Sequence, residues 1–229
     1  MADDWDLHNH LIGQQGSRAA LNTPALVIEQ GALERNIAAM AAFAKARGIA
    51  LRPHAKTHKS VDIARMQLAA GAVGVCCAKL GEAEALADGG VGAILITSPV
   101  VTPQAIERLA ALHARIGDLR VVADNPENVV ALARSVAKAD RPLVVLVDID
   151  PGIRRTGVSN ADAAVNLARQ IAADPALRFG GVQFYCGAQQ HIESYADRRA
   201  AIEDRTGYLR GIVERLRAEG LAPELVTGG

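Results

Sequence analysis

The densest concentration of reactive side chains is one short run, Arg52-Pro53-His54-Ala55-Lys56-Thr57-His58-Lys59. Side chains alternate along an extended strand, so Arg52, His54, Lys56 and, by register, His58 are predicted to share one face. An amine turned away from water and crowded by like charge is held neutral part of the time. That is the form that condenses with a carbonyl, and it makes Lys56 the candidate nucleophile. The plain alternative is a solvated basic loop in which Lys56 and Lys59 only end a strand and a helix. In a second run, Asp148-Ile149-Asp150-Pro151-Gly152-Ile153-Arg154-Arg155-Thr156-Gly157, either arginine can turn back to pair with a phenolate, carboxylate or phosphate. An Asp/Arg loop pairing with itself is the alternative. Gln183, Tyr185 and Cys186-Gly187-Ala188-Gln189-Gln190-His191 form a third group, where core packing for Tyr185 and a helix start for His191 stay open. Thr227-Gly228-Gly229 offers backbone N–H groups of the kind that cradle phosphate, or an ordinary turn. His8-Asn9-His10 would present two imidazoles to a metal if it lay on a strand, and is a polar arm otherwise. His113 reads as a surface helix residue, and Cys76 and Cys77 as strand packing.

Positioning such groups requires a regular scaffold. Apolar β-rich runs recur at PALVIE from 24, IALRPHA from 49, VGVCCA from 73, AILIT from 93, LRVVA from 119, PLVVLVDID from 142, FGGVQFY from 179 and PELVT from 223. Between these eight strands, apolar residues at three- and four-residue spacing predict seven helices, at about 31–47, 59–71, 80–89, 103–116, 126–138, 160–173 and 195–219. Thr102, Asn125, Ser159 and Asn160 are the candidate N-caps, with Pro103 and Pro126 opening their helices. Alternating strands and helices predict parallel strands joined by crossovers. Eight of them predict a closed (β/α)8 TIM-type barrel, with a doubly wound open sheet as the other topology. The reactive runs then lie at C-terminal strand ends, where such barrels keep their chemistry. Only Thr227, Gly228 and Gly229 follow the eighth strand, so the barrel is expected to be truncated there. The predicted division is an N-terminal arm over 1–22 and one barrel domain over 23–229.

Composition excludes several classes. With 50% hydrophobic and 22% charged residues the chain has the material for a packed core rather than disorder. Lys plus Arg equals Asp plus Glu at 25 each and aromatics are 3%, which argues against a nucleic-acid surface. No apolar run approaches the roughly 20 residues of a membrane helix. The acidic start MADDWDLHNH lacks a signal-peptide pattern, and three cysteines, two of them adjacent, make no disulfide framework. The expected setting is the cytoplasm.

Five stretches, in chain order, carry a resemblance: Asn22-Thr23-Pro24-Ala25-Leu26-Val27, Leu51 to Lys59, Gly74-Val75-Cys76-Cys77-Ala78-Lys79, Asp148 to Val158, and Val226-Thr227-Gly228-Gly229. They are similar to the fold-type III pyridoxal 5'-phosphate enzymes with an alanine racemase N-terminal-like barrel, within them the D-threonine aldolase and D-serine dehydratase group. The resemblance implies that Lys56 holds pyridoxal phosphate covalently and that Arg155 hydrogen-bonds its phenolic oxygen. It also implies that Tyr185 lies near the pyridine nitrogen and that Thr227, Gly228 and Gly229 begin the phosphate loop. Gly-Ile-Arg-Arg-Thr-Gly departs from the single-arginine pattern of aldolase relatives, which leaves Arg154 or Arg155 open. The implied activity is a metal-dependent lyase, an aldolase that cleaves D-threonine or 3-hydroxy-D-aspartate to glycine plus an aldehyde. The alternative reaction is dehydration of D-serine or 3-hydroxy-D-aspartate. Other classes are a non-catalytic pyridoxal phosphate-binding protein and a barrel metallohydrolase using His8 and His10. The divalent metal (Mn, Mg or Zn) is expected only with a C-terminal β domain that this sequence is expected to be missing, so no metal ligand is assigned here. The implied full-length form is a homodimer, with a small D-amino acid as its partner.

Overall fold

The computed structural model describes residues 7–229, so residues 1–6 of the predicted arm lie outside the described residues. All seven expected helices form: α1 Gln30–Ala46, α2 Val61–Ala69, α3 Leu80–Asp88, α4 Pro103–Arg115, α5 Pro126–Val136, α6 Ala161–Ala173 and α7 Tyr195–Ala218. Their starts follow the cap chemistry. Asn125 accepts hydrogen bonds from the backbone N–H groups of Glu127 and Asn128, and Asn160 accepts from Ala163. Such caps pair donors that a helix leaves unsatisfied, each contributing about 1 kcal/mol. Thr102 stands at the N-cap of α4 through its backbone alone, and Pro103 supplies the preset φ of the first turn.

Six strands alternate with the later helices: β1 Val75–Cys77, β2 Ala93–Ile96, β3 Asp118–Ala123, β4 Leu143–Ile149, β5 Leu177–Phe184 and β6 Leu225–Gly228. They pair in parallel in strictly consecutive order. Consecutive order has no reversal point, so the doubly wound topology does not apply. Every residue of β4 is buried, as its unbroken apolar run Leu-Val-Val-Leu-Val requires of a strand covered on both faces. Outward-facing residues such as Ile94, Val121, Val145 and Val147 pack with Leu109, Leu132 and Ile171 of the helices. The inner face carries a smaller cluster of Cys76, Leu95, Val122, Val144 and Leu146, with Leu225 against it. Full burial of such side chains contributes roughly 1.5–3 kcal/mol each, so the two-sided core holds the strand ends still.

The first two expected strands are corrected. Residues 24–29 form no strand and hydrogen-bond to none, and Leu26 is 96% exposed. An apolar pattern becomes a strand only beside an edge to pair with, and neither free edge of the sheet meets this segment. The 49–55 run reaches β1 through a single bridge, His54 with Cys76, and three backbone bonds: Val73 to Leu51, Cys76 to Pro53 and Ala55 to Cys76. Pro53 has no N–H to donate, which interrupts a regular ladder there. The result is an open, curled six-stranded sheet in place of a closed eight-stranded barrel.

Candidate active site

One cleft of about 320 Å³ opens at the C-terminal ends of the strands, within the size range of small-molecule sites. Its walls come from sequence-distant segments that the parallel topology brings together. The 52–56 run gives Arg52, His54 and Lys56; the loop after β4 gives Arg155; β5 and its end give Gln183 and Tyr185; and β6 and its end give Thr227, Gly228 and Gly229. Each predicted cofactor-site residue therefore lines the same cavity. The Lys56 Nζ stands 5.5 Å from the Tyr185 ring centre, and the Arg155 guanidinium carbon 5.2 Å from it. Two cations on one aromatic ring make a face attractive to an anionic, planar ligand.

Two expectations about these groups change. Lys56 is exposed at the cleft mouth rather than buried in a ring of strands, because the sheet stays open on that side. Of the two arginines left open, Arg155 lines the cleft and Arg154 does not. The cause is local. The Asp150 carboxylate accepts hydrogen bonds from the N–H groups of Gly152, Ile153 and Arg154 at 2.9–3.0 Å, which curls the loop and leaves Arg154 at φ 54°. Gly157 then closes the turn at φ 102°, where a Cβ would lie 2.4 Å from the Asp150 nitrogen. Its N–H donates to Asp124 at 2.9 Å.

Below the mouth is a polar floor. The Gln183 amide donates both to the carbonyl of Thr97 at 3.0 Å and to Asp148 Oδ1 at 2.9 Å. Burial raises the Asp148 carboxyl above the usual carboxylate range, with the Gln183 hydrogen bond opposing. His54 faces Thr97, their Nε2 and Oγ1 atoms 3.1 Å apart. Burial, with the Lys56 cation second, pushes His54 down to about 4, so its ring is neutral at pH 7. Deeper still, Arg52 pairs with Asp118 at 3.6 Å. Cys76 belongs to the cleft wall, yet burial pushes its thiol up to about 11 and that of Cys77 to about 12, so both act as packing.

Other flagged residues fall elsewhere. His58 lies off the cleft, its Nδ1 accepting from Ser60 N–H at 3.1 Å. Lys59 pairs with Glu82 at 2.7 Å. His191 is exposed, and its neighbour Gln190 reaches the cleft instead. His8 caps and His10 lies within a 3-10 turn at Asn9–Leu11 rather than a strand, and His8 Nε2 accepts from Asn22 N–H. His113 is 2% exposed, not a surface residue, because its Nε2 meets the Arg141 carbonyl inside the α4 packing. Among the described residues no three His, Cys, Asp or Glu side chains gather as a metal site. Sequence reasoning missed Thr97 as a cleft residue. It follows β2 directly, the same strand-end position that marked Tyr185 and Arg155.

A family model described as alanine racemase, N-terminal domain, matches residues 28–229. The chain is 43% identical over 210 residues to a 3-hydroxy-D-aspartate aldolase of Paracoccus denitrificans, covering 91% of this chain and 54% of that protein. The crystal structure of D-threonine aldolase from Filomicrobium marinum superposes with TM-score 0.89 at 39% identity, covering 92% of this chain and 56% of the other. D-threo-3-hydroxyaspartate dehydratase from Delftia sp. HT23 superposes at 0.83 with 32% identity, over 91% and 55% of the two chains. The chain thus spans about half the length of the relatives it matches.

Proposed function

The chain belongs to the alanine racemase N-terminal domain family, and from that premise we propose that it is the pyridoxal phosphate-binding part of a D-3-hydroxyamino acid aldolase. The substrates are 3-hydroxy-D-aspartate or D-threonine, cleaved between Cα and Cβ. The β-carbon leaves as an aldehyde, and the proton lost from the β-hydroxyl is balanced by one gained at Cα of glycine. The observation that carries the reading is the convergence of Lys56, Arg155, Tyr185 and Thr227 to Gly229 on one cleft.

The donor set fits the cofactor. Lys56 offers the amine that an aldehyde requires, Tyr185 a flat face, and Arg155 a cation for an anionic oxygen. At Gly228 a Cβ would lie 2.2 Å from the Phe184 carbonyl oxygen, so only glycine fits where β6 passes β5 at the cleft wall. When bound, pyridoxal phosphate supplies an electron sink for charge developing at the substrate Cα. The chain's own residues do the rest of what is described here. Arg155 and Lys56 set a positive field at the cleft mouth, which favours a substrate carboxylate. Gln183 and Asp148 hold the floor rigid. The neutral His54 adds no charge beside the amine.

The residues described do not fit a divalent metal site, since no ligand cluster forms among them. Metal dependence therefore has no residues here and enters no step. Closure of the barrel by residues 24–29 against the free edge of β6 is part of the same proposal; Leu26, Val27 and Ile28 are apolar residues left exposed there. A homodimeric, cytoplasmic full-length form accompanies it. The dehydratase reading is favoured by the Delftia structure, and products separate the two.

The test is to incubate the full-length protein with pyridoxal phosphate, Mn²⁺ and D-threonine. Glycine with acetaldehyde supports the aldolase, 2-oxobutanoate with ammonia the dehydratase, and neither pair removes both. Borohydride reduction of the cofactor-loaded protein followed by peptide mapping is expected to label Lys56 and to label nothing after Lys56→Ala.

A further inference from the structure

We propose that His54 is the positioning residue for Lys56: a neutral imidazole, protonated on Nε2 alone, whose bare Nδ1 anchors the Lys56 backbone while Thr97 anchors the ring. The inference rests on the reading of Lys56 as the cofactor-bearing amine and goes beyond it.

Three hydrogen bonds in series determine the proton's place. The Thr97 hydroxyl donates to the Cys77 carbonyl at 3.1 Å, and a hydroxyl has a single proton to give. Toward His54 Nε2, 3.1 Å away, that oxygen can only accept, so Nε2 carries the hydrogen. On the other side of the ring the Lys56 backbone N–H points at Nδ1 at 3.3 Å, which must be a lone pair. Protonating Nδ1 would set N–H against N–H and release Lys56. The Thr57 hydroxyl also donates to the His54 carbonyl at 3.2 Å, and the bridge to Cys76 ties the same residue to β1. His54 is thus joined to β1, to the end of β2 and to the residue that bears the amine. Fixing the Lys56 backbone restricts the directions its side chain can leave from, which directs Nζ toward Tyr185.

The charges around the ring support a neutral state. Lys56 lies on its own segment and Arg155 across the cleft, both cationic, with Arg52 below. From α3 the nearest acid is Glu82. Its carboxylate is engaged by Lys59 and by the N–H groups of Ala78 and Lys79, leaving little to stabilise an imidazolium. Cys76 beside it is a thiol that burial keeps protonated. Burial first and the Lys56 cation second oppose protonation of the half-buried ring, and Glu82, already engaged, opposes them only weakly.

The experiment begins with ¹⁵N-histidine NMR on the folded protein without cofactor, with the His54 signals assigned by their loss in His54→Asn. The expected result at pH 7 is a protonated Nε2 and an unprotonated Nδ1, persisting as the pH falls to about 5. Thr97→Val is expected to mix the tautomers and Thr97→Ser to restore the single one. The second readout is the rate at which borohydride traps pyridoxal phosphate on Lys56. It is expected to fall about tenfold in His54→Leu and Thr97→Val, the loss of roughly one well-made hydrogen bond. His54→Asn, which keeps an acceptor for the Lys56 N–H, and Thr97→Ser are expected to recover most of the rate. An Nδ1–H tautomer in the wild-type protein, or an unchanged trapping rate in His54→Leu, overturns the proposal. A label on Lys59 or Lys79 overturns instead the Lys56 reading beneath it, while the tautomer is still read independently.

Discussion

Replacing Gly181 by alanine is expected to dislodge the strand that carries the Thr227 to Gly229 wall. Gly181 sits at φ 128°, and a Cβ there would lie 1.9 Å from the Leu225 carbonyl oxygen and 2.8 Å from its carbon. Both neighbours are backbone, so no side chain can swing aside. Leu225 is its register partner, and β6 bonds to β5 alone, as the last strand of the sheet. A non-glycine residue in this conformation costs about 1–2 kcal/mol in backbone strain. Relieving the overlap by moving β6 costs about two of its backbone hydrogen bonds, near 1 kcal/mol each. The sum is about 3–4 kcal/mol, in reduced stability if β6 stays and in weakened pyridoxal phosphate binding, tenfold or more, if it moves. Equilibrium urea unfolding followed by circular dichroism and an absorbance titration with the cofactor separate these responses. Gly211→Ala is the control: Gly211 lies within α7 with nothing within 4 Å of the added Cβ, so helix propensity predicts a gain of roughly 0.5–1 kcal/mol. Wild-type unfolding and wild-type affinity in Gly181→Ala would refute the reasoning about β6.

Two further predictions follow from the same geometry. Arg155→Ala is expected to weaken pyridoxal phosphate binding by roughly 10- to 100-fold, the loss of a charge-assisted hydrogen bond, whereas Arg154→Gly leaves it unchanged and relaxes the φ 54° backbone; an absorbance titration of both variants decides. His54, at about 4 when folded against 6.5 when free, stays neutral in the folded state while the unfolded chain takes up a proton between those values. Its contribution to stability is therefore complete above pH 6.5 and lost as the pH falls toward 4, a window bounded at roughly 3 kcal/mol and cut to about 1–2 by the ring's partial exposure. Urea unfolding of wild type and His54→Asn at pH 7 and pH 4.5 is expected to show the smaller pH dependence in the variant.

The helices were legible because each joins an amphipathic face to its own cap, as Asn125 and Asn160 do, and both signals are local. Strands β1 to β6 were legible because a parallel sheet covered on both faces demands unbroken apolar runs, and VGVCCA and PLVVLVDID are such runs. PALVIE is as apolar, but strand identity also depends on meeting a pairing edge, and in this structure residues 24–29 pair with neither edge of the sheet. The exposure of Lys56 follows from the same cause, since burial at a strand end depends on whether the sheet closes over it. Alternation aligns Arg52 with His54, whereas Lys56 lies in the turn that follows the bridge at His54 and reaches the cleft from there; the strand-end rule gathers Arg155, Tyr185 and Thr227 with them. It could not choose between Arg154 and Arg155, because neighbours in sequence point apart and the choice is made by Asp150, whose carboxylate bends the loop through backbone N–H groups that every residue has. Thr97 stayed hidden for the opposite reason: it reads as the last residue of the AILIT run, and its role emerges only when His54 is brought within 3.1 Å from 43 residues away. What local chemistry specifies is which side chains are available; which of them touch is specified by the sheet's register, and the cleft is where the two meet.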